Sequence, residues 1–251
     1  MNIHFNCTQC AKCCHHTKIP LMVREAIDWL NEGHQVQVIC EASPSLPQDD
    51  LKADYLLRRS FAARSGSMPM RISVTLVANI AGKCPNLLAD LRCGIYERRP
   101  LVCRIYPAEI NPFTQLDPAI KACPPEAWGS EHPVYLHDNR IASKGLQDDI
   151  QRWRNANEGE VHAKRKLCAA LNLTMAAINQ EGFFIHSPRN ADLHEALASL
   201  QDEIEVAASQ IQWLLVSDRD ETLQRLAETG AAAAHPREVK AGPYEYIGLM
   251  R

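Results

Sequence analysis

Two groups of four cysteines constrain this chain more than any other feature. Cys7, Cys10, Cys13 and Cys14 form a C-x2-C-x2-C-C run, and Cys84, Cys93, Cys103 and Cys123 follow it. A soft metal centre needs about four thiolates brought together, and the chain supplies two such sets. The intervening pair in each C-x2-C step forms a tight turn that aims both sulfurs at one place. Adjacent cysteines usually point apart, so Cys13 and Cys14 are expected to serve different ions, or one a ligand position and the other the core. The gap from 14 to 84 has to be closed by folding, which would tie the N-terminal run to the later group.

Ten cysteines also permit a disulfide framework. Two observations weigh against it. Residues 1–6 contain no apolar stretch of signal-peptide length. A chain of 251 residues that is 46% hydrophobic can build a core without staples. The expected location is the cytoplasm, where thiols stay reduced and clustered cysteines bind metal or do redox work. The net charge of -3 implies no broad basic surface, so neither nucleic acid nor a membrane is an expected partner. No apolar run of membrane-spanning length occurs.

Along the chain, residues 20–32 read as a first helix, 35–40 as a short strand and 49–63 as a second helix. Residues 70–80 read as the best strand, because Met70, Ile72, Val74, Leu76 and Ala78 share one face at period two. From 84 to 128 the density of proline and cysteine argues against long regular elements. Residues 143–157, 159–171 and 173–180 read as short helices. Residues 189–216 read as a long one, capped by Ser187, with Leu193, Leu197, Leu200, Ile204, Ala207, Ile211 and Leu214 on one face. Asp218 and Glu221 resemble a capping box that opens a last helix to about 229. The run Lys164–Lys166 reads as a solvated helix face, and Phe183 and Phe184 as core. The expected fold is mainly α with a small β or irregular component. A cysteine-rich metal-binding domain (1–130) is followed by a helical region (131–229), which offers a surface for a protein partner, and by a loose C-terminal tail (230–251).

The second cysteine group sits in a distinctive stretch: Cys84-Pro-Asn-Leu, then Cys93-Gly-Ile-Tyr-Glu-Arg-Arg-Pro-Leu-Val-Cys103-Arg-Ile-Tyr-Pro107, then Cys123-Pro. Together with the opening run, this resembles the CxxCxxCC, or YkgJ-type, cysteine cluster family of zinc- or iron-chelating proteins. The resemblance covers residues 7–124. It implies Cys7, Cys10, Cys13, Cys14, Cys84, Cys93, Cys103 and Cys123 as metal ligands or near-ligands. It carries no substrate with it. A related domain occurs in flagellin lysine N-methylases, which makes a protein lysine N-methylase-like activity a further, weaker alternative.

Ligand type alone does not separate zinc from iron. The ferredoxin-like C-x2-C-x2-C run and the Cys-Pro pairs favour an iron–sulfur cluster of the [4Fe–4S] type, with an electron-transfer or redox-sensing role. The alternative is a structural zinc module for protein interaction. Four thiolates around either centre leave a charge of about -2, which Arg98, Arg99 and Arg104 could offset. Arg104 is a candidate donor to sulfur or to Glu97; an ordinary salt bridge is the plainer reading. Tyr96 and Tyr106 could shield the centre or simply pack. His4, His15 and His16 read as loop residues, although His15 and His16 are candidate ligands by type. Cys40 and Cys168 fall outside the pattern and read as free buried thiols. No catalytic set is legible: the chain lacks G-x-G, G-K-[ST], G-x-S-x-G and H-E-x-x-H motifs, and the C-x3-C-x2-C run of radical enzymes.

Overall fold

The strand expected over 70–80 is found and is longer than expected. In the computed structural model, which describes residues 2–44, 50–201 and 211–249, the alternating stretch forms a strand running Met68–Lys83. Its burial alternates along most of its length, as period two requires for a sheet with two unlike faces.

In chain order the elements are β1 (Asn2–His4), β2 (His15–Leu21), α1 (Val23–Asn31), β3 (Val36–Pro44), α2 (Leu51–Arg58), β4 (Ser60–Ser65), β5 (Met68–Lys83) and α3 (Leu101–Ile105). They continue as β6 (Val134–His137), β7 (Arg140–Ile141), α4 (Lys144–Gly159), α5 (Val161–Ala170), β8 (Met175–Ile178), β9 (Gly182–His186) and α6 (Asn190–Ala198). The last are β10 (Leu214–Val216), α7 (Asp220–Glu228), β11 (Ala233–Ala234) and β12 (Tyr244–Gly248).

The expectation of a mainly α fold is overturned. The chain is 36% helical and 30% strand, with one three-stranded and one nine-stranded sheet. The misread segments share a physical cause. Residues 173–180, rich in Met and Ala, form strand β8 rather than a helix. β8 lies between β3 and β10, both parallel to it, and Ala176 and Ala177 are fully buried. Small side chains that suit a helix in isolation also suit a strand covered on both faces, and the tertiary setting decides. The long helix expected over 189–216 stops at Ala198, is followed by a short 3-10 turn (Ser199–Gln201), and gives way to strand β10. Ile204 and Ala207 of that expectation lie outside the described residues. Ser187 does not cap α6; its hydroxyl accepts from Gln37 Nε2. The second helix is α2, capped by Asp50, and the chain is already extended in β4 by Ser60; residue 49 lies outside the described residues. The tail is not loose throughout: β12 pairs antiparallel with β9, Tyr246 opposite Phe184.

The chain divides into two compact units. One comprises Met1–Leu21 and Ala78–Ala156 and carries all eight clustered cysteines. Its three-stranded sheet, β1-β6-β7, anchors the N-terminus, and β2 lies beside β5, with Lys18 Nζ donating to Asn79 Oδ1 at 3.1 Å. The other comprises Met22–Val77 and Asn157–Arg251. Its sheet runs β11-β10-β8-β3-β5, with β9 on β3, β12 on β9 and β4 on β5. Its core includes Trp213, Phe184, Leu76 and Ile72, all at most 1% exposed. Phe184 is core as expected. Lys164 is not on a solvated face: it is 3% exposed, donates to Asn157 Oδ1 at 3.1 Å and pairs with Glu160 at 3.3 Å. Cys40 and Cys168 are fully buried free thiols in this unit, hydrogen-bonded to each other. Among the described residues, no helix is long and apolar enough to cross a membrane.

Candidate metal centre

The N-terminal run is shaped by backbone conformations that non-glycine residues rarely adopt. Gln9 (φ 54°) lies between Cys7 and Cys10, and Ala11 (φ 59°) between Cys10 and Cys13. Each C-x2-C step thus contains one left-handed residue, which tightens the turn. Such conformations cost about 1–3 kcal/mol each and persist where the surroundings hold them, commonly at ligand sites. Several contacts do the holding here. Phe5 N–H donates to Pro133 O and Asn6 N–H to Ala127 O, and the Phe5 ring packs on Trp128 at 4.7 Å and Tyr135 at 5.1 Å. His15 Nδ1 donates to Ala11 O at 3.0 Å, so that ring braces the turn; neither His15 nor His16 lines the cavity described below.

A short 3-10 turn (Lys12–Cys14) then presents Cys13 and Cys14 together. Their sulfurs are 4.0 Å apart and both line one cavity, so these neighbours do not point away from each other. The two groups of cysteines meet directly: Cys84 N–H donates to Cys14 O at 2.8 Å. Beyond Cys84 the chain makes a tight hairpin, with Leu87 paired to Cys93 and Gly94 N–H donating to Asn86 O at 2.7 Å. A Cβ at Gly94 would lie 3.1 Å from the Leu88 side chain and 3.3 Å from Asn86 O, a close approach that favours glycine. Cys103 sits on α3, entered through Pro100, and the Tyr106–Pro107 bond that follows is cis.

The outcome is one cavity of about 300 Å³ lined by Cys7, Cys10, Cys13, Cys14, Cys93, Cys103 and Cys123. Cys84 is buried and does not line the cavity, but it is within electrostatic reach of Cys14 and Cys103. Tyr96 and Tyr106 both line the cavity, so they shield it. Among the described residues, no three His, Cys, Asp or Glu side chains converge closely enough to hold a single ion.

The electrostatics follow from crowding thiols in a partly desolvated space. Cys13 is lowered to about 6, chiefly by the hydrogen bond from Cys14, whose own thiol is pushed far up by the same contact. Burial pushes Cys103 up to about 12 and Cys123 up to about 11, with neighbouring sulfurs adding to both. Burial raises Cys84 as well, opposed by the backbone N–H of Asn86. The Tyr106 hydroxyl accepts from Ala122 N at 2.8 Å and donates to Cys123, opposing that rise. Bound metal cations invert this logic, because a coordinating thiol is deprotonated outright.

Positive charge is already in place. Arg99 lines the cavity with its guanidinium 3.8 Å above the Tyr96 ring. Its buried Nε–H has no hydrogen-bond partner. A buried donor without a partner is costly, and an anionic thiolate assembly in the cavity is a fitting complement. Arg104 also lines the cavity, but its partner is Asp149 on α4, at 3.0 Å, rather than Glu97. Asp149, Asn86, Phe5 and Tyr135 escaped the sequence reading. Asp149 is 45 residues from Arg104 and has no local signal. The Cys-Pro-Asn turn at 84–86 did carry one, since its third residue can return an N–H to the first side chain.

A unit that walls one cavity with seven thiols and two guanidinium groups is equipped to chelate a metal. Residues 6–124, just under half of the chain, match the CxxCxxCC family, described as "Putative zinc- or iron-chelating domain". No curated protein and no solved structure matches the chain.

Proposed function

We propose that the cysteine cavity holds a polynuclear iron–sulfur centre and that the protein works in electron transfer or redox sensing. The carrying observation is the shape of the thiol set. One zinc ion with Zn–S near 2.3 Å draws its thiolates to about 3.8 Å from one another. Here seven cysteines line one cavity, and among the described residues no three metal-capable side chains converge on one point. A cluster presents several metal corners and can span such a cavity. One shared cavity supports one centre in place of two separate ions.

Cys7, Cys10, Cys13, Cys14, Cys93, Cys103 and Cys123 line that space, and the buried Cys84 is within electrostatic reach of Cys14 and Cys103. The set is larger than the four a cubane needs. When bound, the cluster supplies reversible one-electron chemistry. The chain's own residues hold and tune it. Asn86 N–H and the Tyr106 hydroxyl donate to Cys84 and Cys123, and Arg99 offsets the assembly's negative charge. Hydrogen bonds to the sulfurs and solvent exposure are among the determinants of a cluster's potential. Cys7 and Cys13 are exposed, which gives electrons a short route in without opening the fold.

The redox role is tested by stepwise reduction of the anaerobically isolated protein. The expected result is a visible absorption that bleaches with dithionite, returns with a mild oxidant, and is accompanied by a paramagnetic resonance signal in one state. Colour that ignores the reductant overturns the redox role.

A further inference from the structure

The cysteine-bearing unit has a second and larger cavity that contains no cysteine. It measures about 570 Å³, within the range typical of small-molecule sites. Its floor is apolar, made by the buried residues Ala108, Leu136 and Ile150. Its walls carry the amides of Asn111, Gln147 and Gln151 and two guanidinium groups, Arg140 and Arg154. Arg154 is fixed in place by its Nε–H, which donates to Ile110 O at 2.8 Å.

The lining also says what the cavity is not. Among the described residues that line it there is no cysteine, histidine or aromatic ring. It therefore offers no soft metal ligand, no thiol nucleophile, and no surface on which a base or sugar would stack. Its one acid, Glu109, is engaged by Lys121 at 2.5 Å. The other charged groups of the lining are two arginines, Arg140 and Arg154, beside the apolar residues. Guanidinium groups match carboxylates in geometry and charge, and the floor favours a carbon skeleton over a bare inorganic ion.

We propose that this cavity binds a small organic anion bearing carboxylate groups, with its skeleton on Ala108, Leu136 and Ile150 and its charge toward Arg140 and Arg154. Helix α4 contributes to both cavities of the unit, through Leu146 on the cysteine side and through Gln147, Ile150, Gln151 and Arg154 on this side. An occupant would lie against the same helix that holds Asp149 to Arg104.

The experiment is calorimetric titration of the full chain with succinate, glutarate, neutral succinamide and inorganic phosphate. A dicarboxylate should bind with Kd below about 1 mM. Succinamide and phosphate should bind at least about tenfold more weakly, since each lacks either the charge or the skeleton. Arg154→Gln and Arg140→Gln should each weaken the dicarboxylate by about tenfold or more. Arg140 is exposed on the β6–β7 hairpin, so its variant keeps the fold intact. No heat from either dicarboxylate overturns the proposal. So does equal binding of succinamide or phosphate, or unchanged affinity in both variants. The readout needs no metal, so it stands or falls apart from the cluster.

Discussion

Replacing Cys103 with serine should cost the protein most of its metal. Cys103 is presented by the short helix α3, half-buried, and lines the cavity with Cys93 and Cys13. Loss of a residue that merely supports a metal ligand typically lowers affinity 10–100-fold, so loss of a ligand should exceed about 100-fold. Cys10→Ser, on the left-handed turn of the N-terminal run, should behave alike. Because metal affinity in a loop-built domain is also folding free energy, both variants should unfold at lower temperature than the parent. Cys168→Ser is the internal comparison. Its thiol is fully buried against Cys40 in the other unit, so its metal content should equal that of the parent. Metal analysis of the three variants side by side checks this, and equal metal in all three would defeat the ligand assignment.

The second large effect concerns pH and lies in the other unit. Glu41 is on β3, opposite Ala177 of β8, flanked by the fully buried Cys40 and Ala42. Burial raises its carboxyl from 4.5 to about 7. The native state therefore keeps this proton up to about pH 7, while the unfolded chain releases it near 4.5. Between those values the native state binds more protons, so stability falls as pH rises, and the loss is complete above about 7. The full shift corresponds to about 3 kcal/mol, reduced by whatever water reaches the partly buried side chain. Glu41→Gln should flatten stability across this window and make the protein more stable than the parent at pH 8. Denaturant unfolding at pH 5 and pH 8 reads this directly. The same pH dependence in parent and variant would show that Glu41 is not held protonated.

What the sequence revealed divides along a physical line. The cysteine spacing was legible because short-range covalent geometry dictates it: C-x2-C steps need tight turns, and Gln9 and Ala11 make them. The amphipathic elements were legible as well, β5 by period two and α1 by its apolar positions, whereas α7 was read from an Asp218–Glu221 capping box that does not form: its N-cap is Arg219, with no side-chain cap. Strands β8 and β10 were not, since both lie in the sheet interior, where a short apolar run reads equally as helix or strand. Trp213-Leu-Leu-Val216 was such a run, and the heptad-like spacing around it was misleading. In β12, Tyr244-Glu-Tyr-Ile247 did alternate, but the surrounding Gly and Pro obscured it. Within the site, what joins distant segments was hidden: the Cys84–Cys14 backbone bond, the Tyr106–Cys123 contact and the Arg104–Asp149 pair. Those contacts exist only once the chain has closed on itself, and no local pattern records them. The 4.0 Å approach of Cys13 and Cys14 ran against the usual divergence of neighbours because a 3-10 turn brings them round.

The central claim is that the thiol-walled cavity holds an iron–sulfur centre, and one measurement meets it most directly. The protein is purified without oxygen, its visible spectrum recorded, and iron, acid-labile sulfide and zinc determined on the same sample. The account predicts a coloured protein with a broad band near about 400 nm and iron matched by sulfide. A colourless protein with stoichiometric zinc and no sulfide would contradict it.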